Sequence, residues 1–341
     1  MIVKKNPNIT VDRAFSESFA SGNIGDTPEQ TGPLPPRNPR KTRHEHQPPP
    51  PAPAAAELGP TTAEQRAAKA AANRGEPTLD FTGISPYDAY VRASTLHTLQ
   101  RPLSSEPGEM SFLMVSQIME LYFGLICFEL CEARRALRED DLPAALAPLN
   151  RAVLHLTGLN ATWHGLSWMT PADFNRFRDL LGEASGFQSA MYRRLEFVLG
   201  FRSTSLIRPF RRQPEVYQAL VDEMRSRSIW DETIALLARR GFDIPHDLLE
   251  RDFTEEHRPH EAVEAAWVTV YREDTPDLRR LGDALAQIAE GFSDWRYEHL
   301  KAVKRTMGEK PGSGGSSGVA WLQRSLARVV FPELWSARTI I

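Results

Sequence analysis

Apolar residues in this chain recur at intervals of three and four over most of its length. Phe112, Val115, Met119, Tyr122 and Phe123 open such a face, and Ile126, Leu130 and Leu137 extend it. That spacing predicts an amphipathic helix. Leu142, Leu146, Leu149, Val153 and Leu156 repeat the pattern. There Pro143 suits a first turn, whereas Pro148 lies deeper than a helix interior favours. Met191, Leu195 and Val198 carry it through 187–199, with further runs over 216–224, 229–237 and 262–271 and a long one over 278–307. The breaks fall at Pro102, Pro171, Gly241, Pro245 and Gly308, where breakers belong. Alternating, strand-like segments are nearly absent and no fixed-period repeat is present, which disfavours a solenoid. The pattern predicts an all-α fold.

The first part of the chain breaks this pattern. Eleven of its 26 prolines lie between Pro28 and Pro60, among them the run Pro48-Pro49-Pro50-Pro51, with almost no large apolar residue beside them. Such a segment cannot bury enough surface to offset the entropy of ordering. Residues 1–76 are therefore predicted to be a disordered Pro-rich tail, with one folded domain over 77–341. Within the tail, Thr61 to Arg74 is rich in Ala, Glu, Lys and Arg and favours a frayed helix. A docking motif for a partner is the sharper reading of the prolines.

Charge narrows the function. With 41 Lys+Arg against 44 Asp+Glu, the net charge is −3, leaving no positive excess for nucleic acid. The most apolar stretch, Phe112 to Cys131, is interrupted by Ser116, Gln117, Glu120 and Glu129, which argues against a membrane span. The start lacks the apolar core of a signal peptide. Cys127 and Cys131 are the only cysteines, so a reducing cytoplasm is the expected compartment. At i and i+4 in an apolar helix, with no second pair to complete a zinc site, they read as core residues.

Three features could carry chemistry. The glycine-rich stretch from Gly308 to Gly318 lacks the ending of a phosphate loop and reads as a flexible connector or a lid. Among nine histidines, His299 shares a helix face with Phe292, Trp295, Ala302, Val303 and Thr306. It is either a hydrogen-bonded core residue or the single axial ligand that a haem needs. Arg178 follows Thr170-Pro171-Ala-Asp173, a cap and helix start, and is spaced with Phe174 and Phe177 on one aromatic face. There it could capture a carboxylate or form a surface ion pair with Asp179 or Glu183.

Several separate blocks then resemble the tryptophan 2,3-dioxygenase superfamily. They are Ser185-Gly-Phe-Gln-Ser189 with Tyr192-Arg-Arg-Leu-Glu-Phe197, Trp295-Arg-Tyr-Glu-His299, Gly312-Ser-Gly-Gly-Ser-Ser-Gly-Val319, and Phe331-Pro-Glu-Leu-Trp335 with Arg338-Thr339. Tyr87 to Leu103 and Glu120-Leu-Tyr-Phe123 add weaker matches. The resemblance implies an all-α homotetramer with one haem b per subunit, its iron held by His299. It implies that Phe112 packs on the substrate indole, Arg178 pairs with the substrate carboxylate and Ser313 holds the amino-acid end. Trp163 matches a residue beside the haem. Tyr87, Tyr90 and Val91 match an element reaching into a neighbouring subunit's pocket.

Two positions depart from that pattern. Ser116 stands where the family usually has a distal histidine, and a serine hydroxyl is no base near neutral pH. Phe174 stands where tyrosine is usual, removing a hydrogen bond worth about 1–3 kcal/mol to a charged acceptor. Substrate-site changes of this kind favour, as an expectation, monooxygenation of L-tryptophan or a substituted tryptophan to a 2-oxindole. That reaction draws on O2 and an external reductant for the second oxygen atom. The alternatives are dioxygenation to N-formylkynurenine and a non-catalytic haem scaffold or sensor, which would have no use for the carboxylate clamp.

Overall fold

The computed structural model describes residues 59–273 and 275–341, and these residues are helical with no strand among them. They divide into two units, 59–102 and 103–341. The expected disorder of the Pro-rich tail falls largely on residues outside the described ones.

In the first unit, α1 (Ala63–Ala72) bears out the helix expected near Thr61. Thr62 caps it, accepting from the Gln65 N–H while the Gln65 side chain accepts from the Thr62 N–H. None of its residues is buried. Two short helices follow, α2 (Pro86–Val91) and α3 (Ala93–Leu96). The Asp88 carboxylate joins them by accepting from the Ser94 N–H and hydroxyl at 2.7 and 2.8 Å.

The second unit is built on three long helices: α4 (Pro107–Arg138), α5 (Leu142–Ala161) and, later in the chain, the 32-residue rod 276–307. All three match the runs read from apolar spacing. Pro148 does not end α5; its ring is buried in the core face. Between α5 and the rod come α6 (Pro171–Asn175), α7 (Ala190–Leu199), α8 (Pro214–Arg225), α9 (Ile229–Arg239), α10 (His246–Leu249) and α11 (Glu261–Arg272). The rod is α12 (Pro276–Met307), followed by α13 (Val319–Leu326) and α14 (Pro332–Ile340). Helices α4 and α12 pack along α5, α7 and α9 pack on α4, and α14 closes over α11. Leu130, Leu137, Leu149, Leu156, Leu285 and Phe292 lie in one shared core.

Buried charge ties the outer helices to α4. Glu223 of α8 pairs with Arg134 of α4 and, at 3.3 Å, with Arg194 of α7. Burial pushes its carboxyl up, but the two guanidinium groups outweigh that and hold it below the usual range. On its other side α4 leaves a stripe uncovered in the single chain: Met110, Met114, Ile118, Leu121 and Leu125 are all at least partly exposed, Leu121 at 65%. By length and composition α4 could cross a membrane. Its buried Glu129, however, is gripped by Arg151 of α5 at 2.7 and 2.8 Å, an arrangement suited to a helix packed within a protein.

Candidate active site

The site grows from the start of α4. Glu109, almost fully buried in the first turn, accepts from the Leu103 and Ser104 N–H groups at 2.6 and 2.7 Å and from the Ser104 hydroxyl. Burial raises its carboxyl, yet these hydrogen bonds prevail and hold it below the ordinary value. The entering chain is thus locked one turn ahead of Phe112. Phe112 forms a three-ring cluster with Phe174 and Phe177, centroids 5.4 to 5.7 Å apart. Leu166, Met169, Val115, Trp163 and Met307 complete this second small core. Phe174 is buried among apolar side chains, so the tyrosine hydroxyl missing here leaves no polar gap.

Thr170 and Asp173 cap α6 reciprocally, as the sequence suggests. The helix is shorter than that reading requires, ending at Asn175. Phe177 then donates to Phe174 in a tight turn, and Arg178 opens a separate 3-10 turn, Arg178–Leu181. Arg178 therefore leaves the aromatic face at a new angle. Its partner is neither Asp179 nor Glu183: Nη2 donates to the carbonyl of Pro311 at 2.6 Å.

Pro311 belongs to the glycine-rich loop, which leaves α12 at Gly308 and enters α13 at Gly318, both at positive φ. A Cβ at Gly318 would lie 2.6 Å from the Lys310 carbonyl oxygen. Within the loop, Ser313 Oγ donates to the Ala184 carbonyl at 2.7 Å.

His299 lies on α12, partly buried. Its ring stacks on Trp163 with centroids 5.3 Å apart and planes 14° apart, and Trp295 sits at 5.5 Å. Desolvation lowers its pKa from 6.5 to about 4, leaving the imidazole neutral and able to ligate a metal. No hydrogen bond holds either ring nitrogen among the described residues, against the core-histidine reading. The indole N–H groups of Trp163 and Trp295 are buried beside it without an acceptor, although buried donors ordinarily have one. No cluster of three metal-ligating side chains occurs among the described residues. One neutral imidazole with adjacent orphaned donors is a set that fits a haem.

Ser116, one turn beyond Phe112, donates its hydroxyl to the Phe112 carbonyl at 2.8 Å. Ring contacts thus join Phe112 to Phe174 and Trp163 to His299, Phe112 and Trp163 pack against the same small core, and Arg178 and Ser313 each bond at the glycine-rich loop. Tyr87, Tyr90 and Val91 lie on α2 in the other unit, Tyr87 and Tyr90 at 68% and 80% exposure. Trp295 and Phe177 were not singled out as site residues from the sequence. Trp295 was nonetheless findable, since it precedes His299 by four positions and shares its helix face.

A neutral histidine set against two indoles in an all-α protein is an arrangement able to hold haem. The family described as tryptophan 2,3-dioxygenase matches residues 71–225 and 223–341. Among similar proteins, the tryptophan 2,3-dioxygenase of Burkholderia ambifaria (strain MC40-6) is 39% identical over 265 residues, covering 77% of this chain and 86% of its own. That of Burkholderia pseudomallei (strain 668) is 38% identical over 265 residues, covering 77% and 87%. The chain belongs to the tryptophan 2,3-dioxygenase family and is a haem-dependent tryptophan oxygenase.

Proposed function

We propose that the chain dioxygenates L-tryptophan to N-formylkynurenine, in preference to the 2-oxindole product expected from Ser116 and Phe174. The observation that carries this is the polarity of its hydroxyls. Ser116 and Ser313 each commit their single proton to a backbone carbonyl, so each oxygen presents only lone pairs. One suits the indole N–H and the other the substrate ammonium, while Arg178 has donors to spare for the carboxylate. Ser116 thereby supplies the acceptor that a distal histidine would supply, without its basicity. The naming of the relatives as tryptophan 2,3-dioxygenases supports the same reading.

Haem b, held through His299 and flanked by Trp163, would supply the activation of O2 that no side chain provides. The chain's own part is placement. Phe112 packs against the indole, Arg178 and Ser313 fix the amino-acid end, and the phenylalanine cluster keeps water from the ring. With two oxygen atoms inserted, no external reductant is consumed. Mass analysis of the product from reduced, haem-loaded protein tests this. Addition of two oxygen atoms is expected; one atom would restore the 2-oxindole reading, and no turnover the scaffold. In the same assay Arg178→Ala should lower kcat/KM for L-tryptophan by about 10–150-fold, the loss of one charged hydrogen bond, while leaving indole binding nearly unchanged. Equal losses for both would remove the clamp role.

The homotetramer and the intersubunit role of Tyr87, Tyr90 and Val91 are proposals of the same reading. The uncovered stripe on α4 and the exposed tyrosines of α2 support them, since such apolar surface marks interfaces. Light scattering should give about four times the 38.4 kDa chain mass. A monomer would overturn both.

A further inference from the structure

Helices α5 and α12 are joined by a hydrogen bond from a side chain of one to the backbone of the other. Asn160 Nδ2 donates to the Gly291 carbonyl at 2.9 Å. In the ladder of α12 that carbonyl also faces the Trp295 N–H, four positions on. Gly291 admits the approach: a Cβ there would come within 3.1 Å of Leu156 Cβ and 3.4 Å of its Cδ1. Glycine is disfavoured in a helix interior relative to alanine, and this close crossing accounts for its presence. From the crossing both helices run towards the same place. Along α12, Gly291, Trp295 and His299 follow at intervals of four, on adjoining parts of one face. Along α5, Asn160 is followed three positions on by Trp163, in the 3-10 turn Thr162–Leu166. The two ends meet where Trp163 lies flat against His299, planes 14° apart. Trp295 sits 5.7 Å from Trp163 and 5.5 Å from His299.

We propose that Asn160 and Gly291 are positioning residues for the axial histidine, setting where and at what angle the His299 imidazole stands against Trp163. The proposal rests on the reading of His299 as the haem ligand. Apolar burial is non-directional, so a helix pair held by it alone is free to slide or turn slightly. The amide hydrogen bond is directional and removes both freedoms at the crossing, while the glycine sets how near the two axes come. His299 lies eight residues from Gly291, about 12 Å along the helix, and Trp163 lies one turn from Asn160. A displacement at the crossing is therefore carried to the stacked rings through short, rigid stretches of chain. An imidazole turned away from Trp163 would meet iron at a tilt, and the metal–nitrogen bond would weaken. Both residues act through the elements that carry the rings.

Resonance Raman spectroscopy of the reduced, haem-loaded, full-length protein without tryptophan reads the iron–histidine stretch directly. Asn160→Leu stays close to the native side-chain shape and removes the donor. Gly291→Ala removes no polar group and adds the crowding methyl. In both variants the band should fall in frequency and broaden, and haem should dissociate about tenfold faster, as when other outer-shell support is lost. Glu223→Ala, which weakens the same unit through other helices, should leave the band where the wild type has it. A band at or above the wild-type frequency in either crossing variant would overturn the proposal. So would an equal fall in Glu223→Ala, since general loosening would then explain the shift. His299→Ala separates this result from the ligand reading: the band should vanish there, and one that persisted would overturn that reading and the proposal with it. Product mass, which decides between one and two inserted oxygen atoms, does not enter this result.

Discussion

Replacing His299 with alanine should leave a folded protein that no longer retains haem and has no measurable oxygenase activity. The side chains packed against the imidazole, Trp163 and Trp295, cannot ligate iron. Its pKa, lowered to about 4 by desolvation, keeps the ligating nitrogen unprotonated throughout the physiological range. Loss of the haem absorption band with unchanged far-ultraviolet dichroism is the expected outcome. Added free imidazole should restore part of the band, because the cavity left by the side chain accepts it. A band that survives His299→Ala unaltered would show that the iron is held elsewhere. Trp163 and Trp295 provide a second readout, since their fluorescence should be quenched by haem in the wild type and recover in the variant.

The largest effect on stability is expected at Glu223. Its carboxylate lies between Arg134 and Arg194, so Glu223→Ala strands two guanidinium groups in the interior. Breaking such a buried pair costs about 3–5 kcal/mol, equivalent to a fall in Tm of roughly 10 °C for a unit of this size. The sign of the pH dependence follows from the lowered folded-state pKa. The stabilisation is full above the ordinary value of 4.5 and is lost as pH falls through the lower folded value. Denaturation of the two proteins should thus differ most at neutral pH and converge in acid. A constant difference down to strongly acidic pH would mean that Glu223 acts through packing alone.

Most of the fold was legible because helical burial writes itself into the chain. The 3.6-residue period marked α4, α5 and α12 almost to their ends, and Thr170 with Pro171 marked the start of α6. The period could not show where α6 stops. That depends on Phe177 turning into the small aromatic core, a contact with Phe112 from some sixty residues earlier. For the same reason the sequence could not show that Arg178 meets the glycine-rich loop. The Pro311 carbonyl is a backbone atom, and no residue type advertises it. Ser116 shows the converse limit. The substitution was visible in the sequence and suggested a weakened site, but the direction of one hydroxyl proton, set by the Phe112 carbonyl, changes what that serine can recognise.

The rod α12 carries His299, the proposed haem ligand, and nine positions on it gives way to Gly308, which opens the glycine-rich loop. Each residue of an α-helix turns the chain by about 100°. One residue gained or lost between His299 and Gly308 would therefore swing the loop away from Ala184 while the imidazole stayed in place. The spacing between His299 and the loop is consequently a fixed quantity, a register held by helical phase.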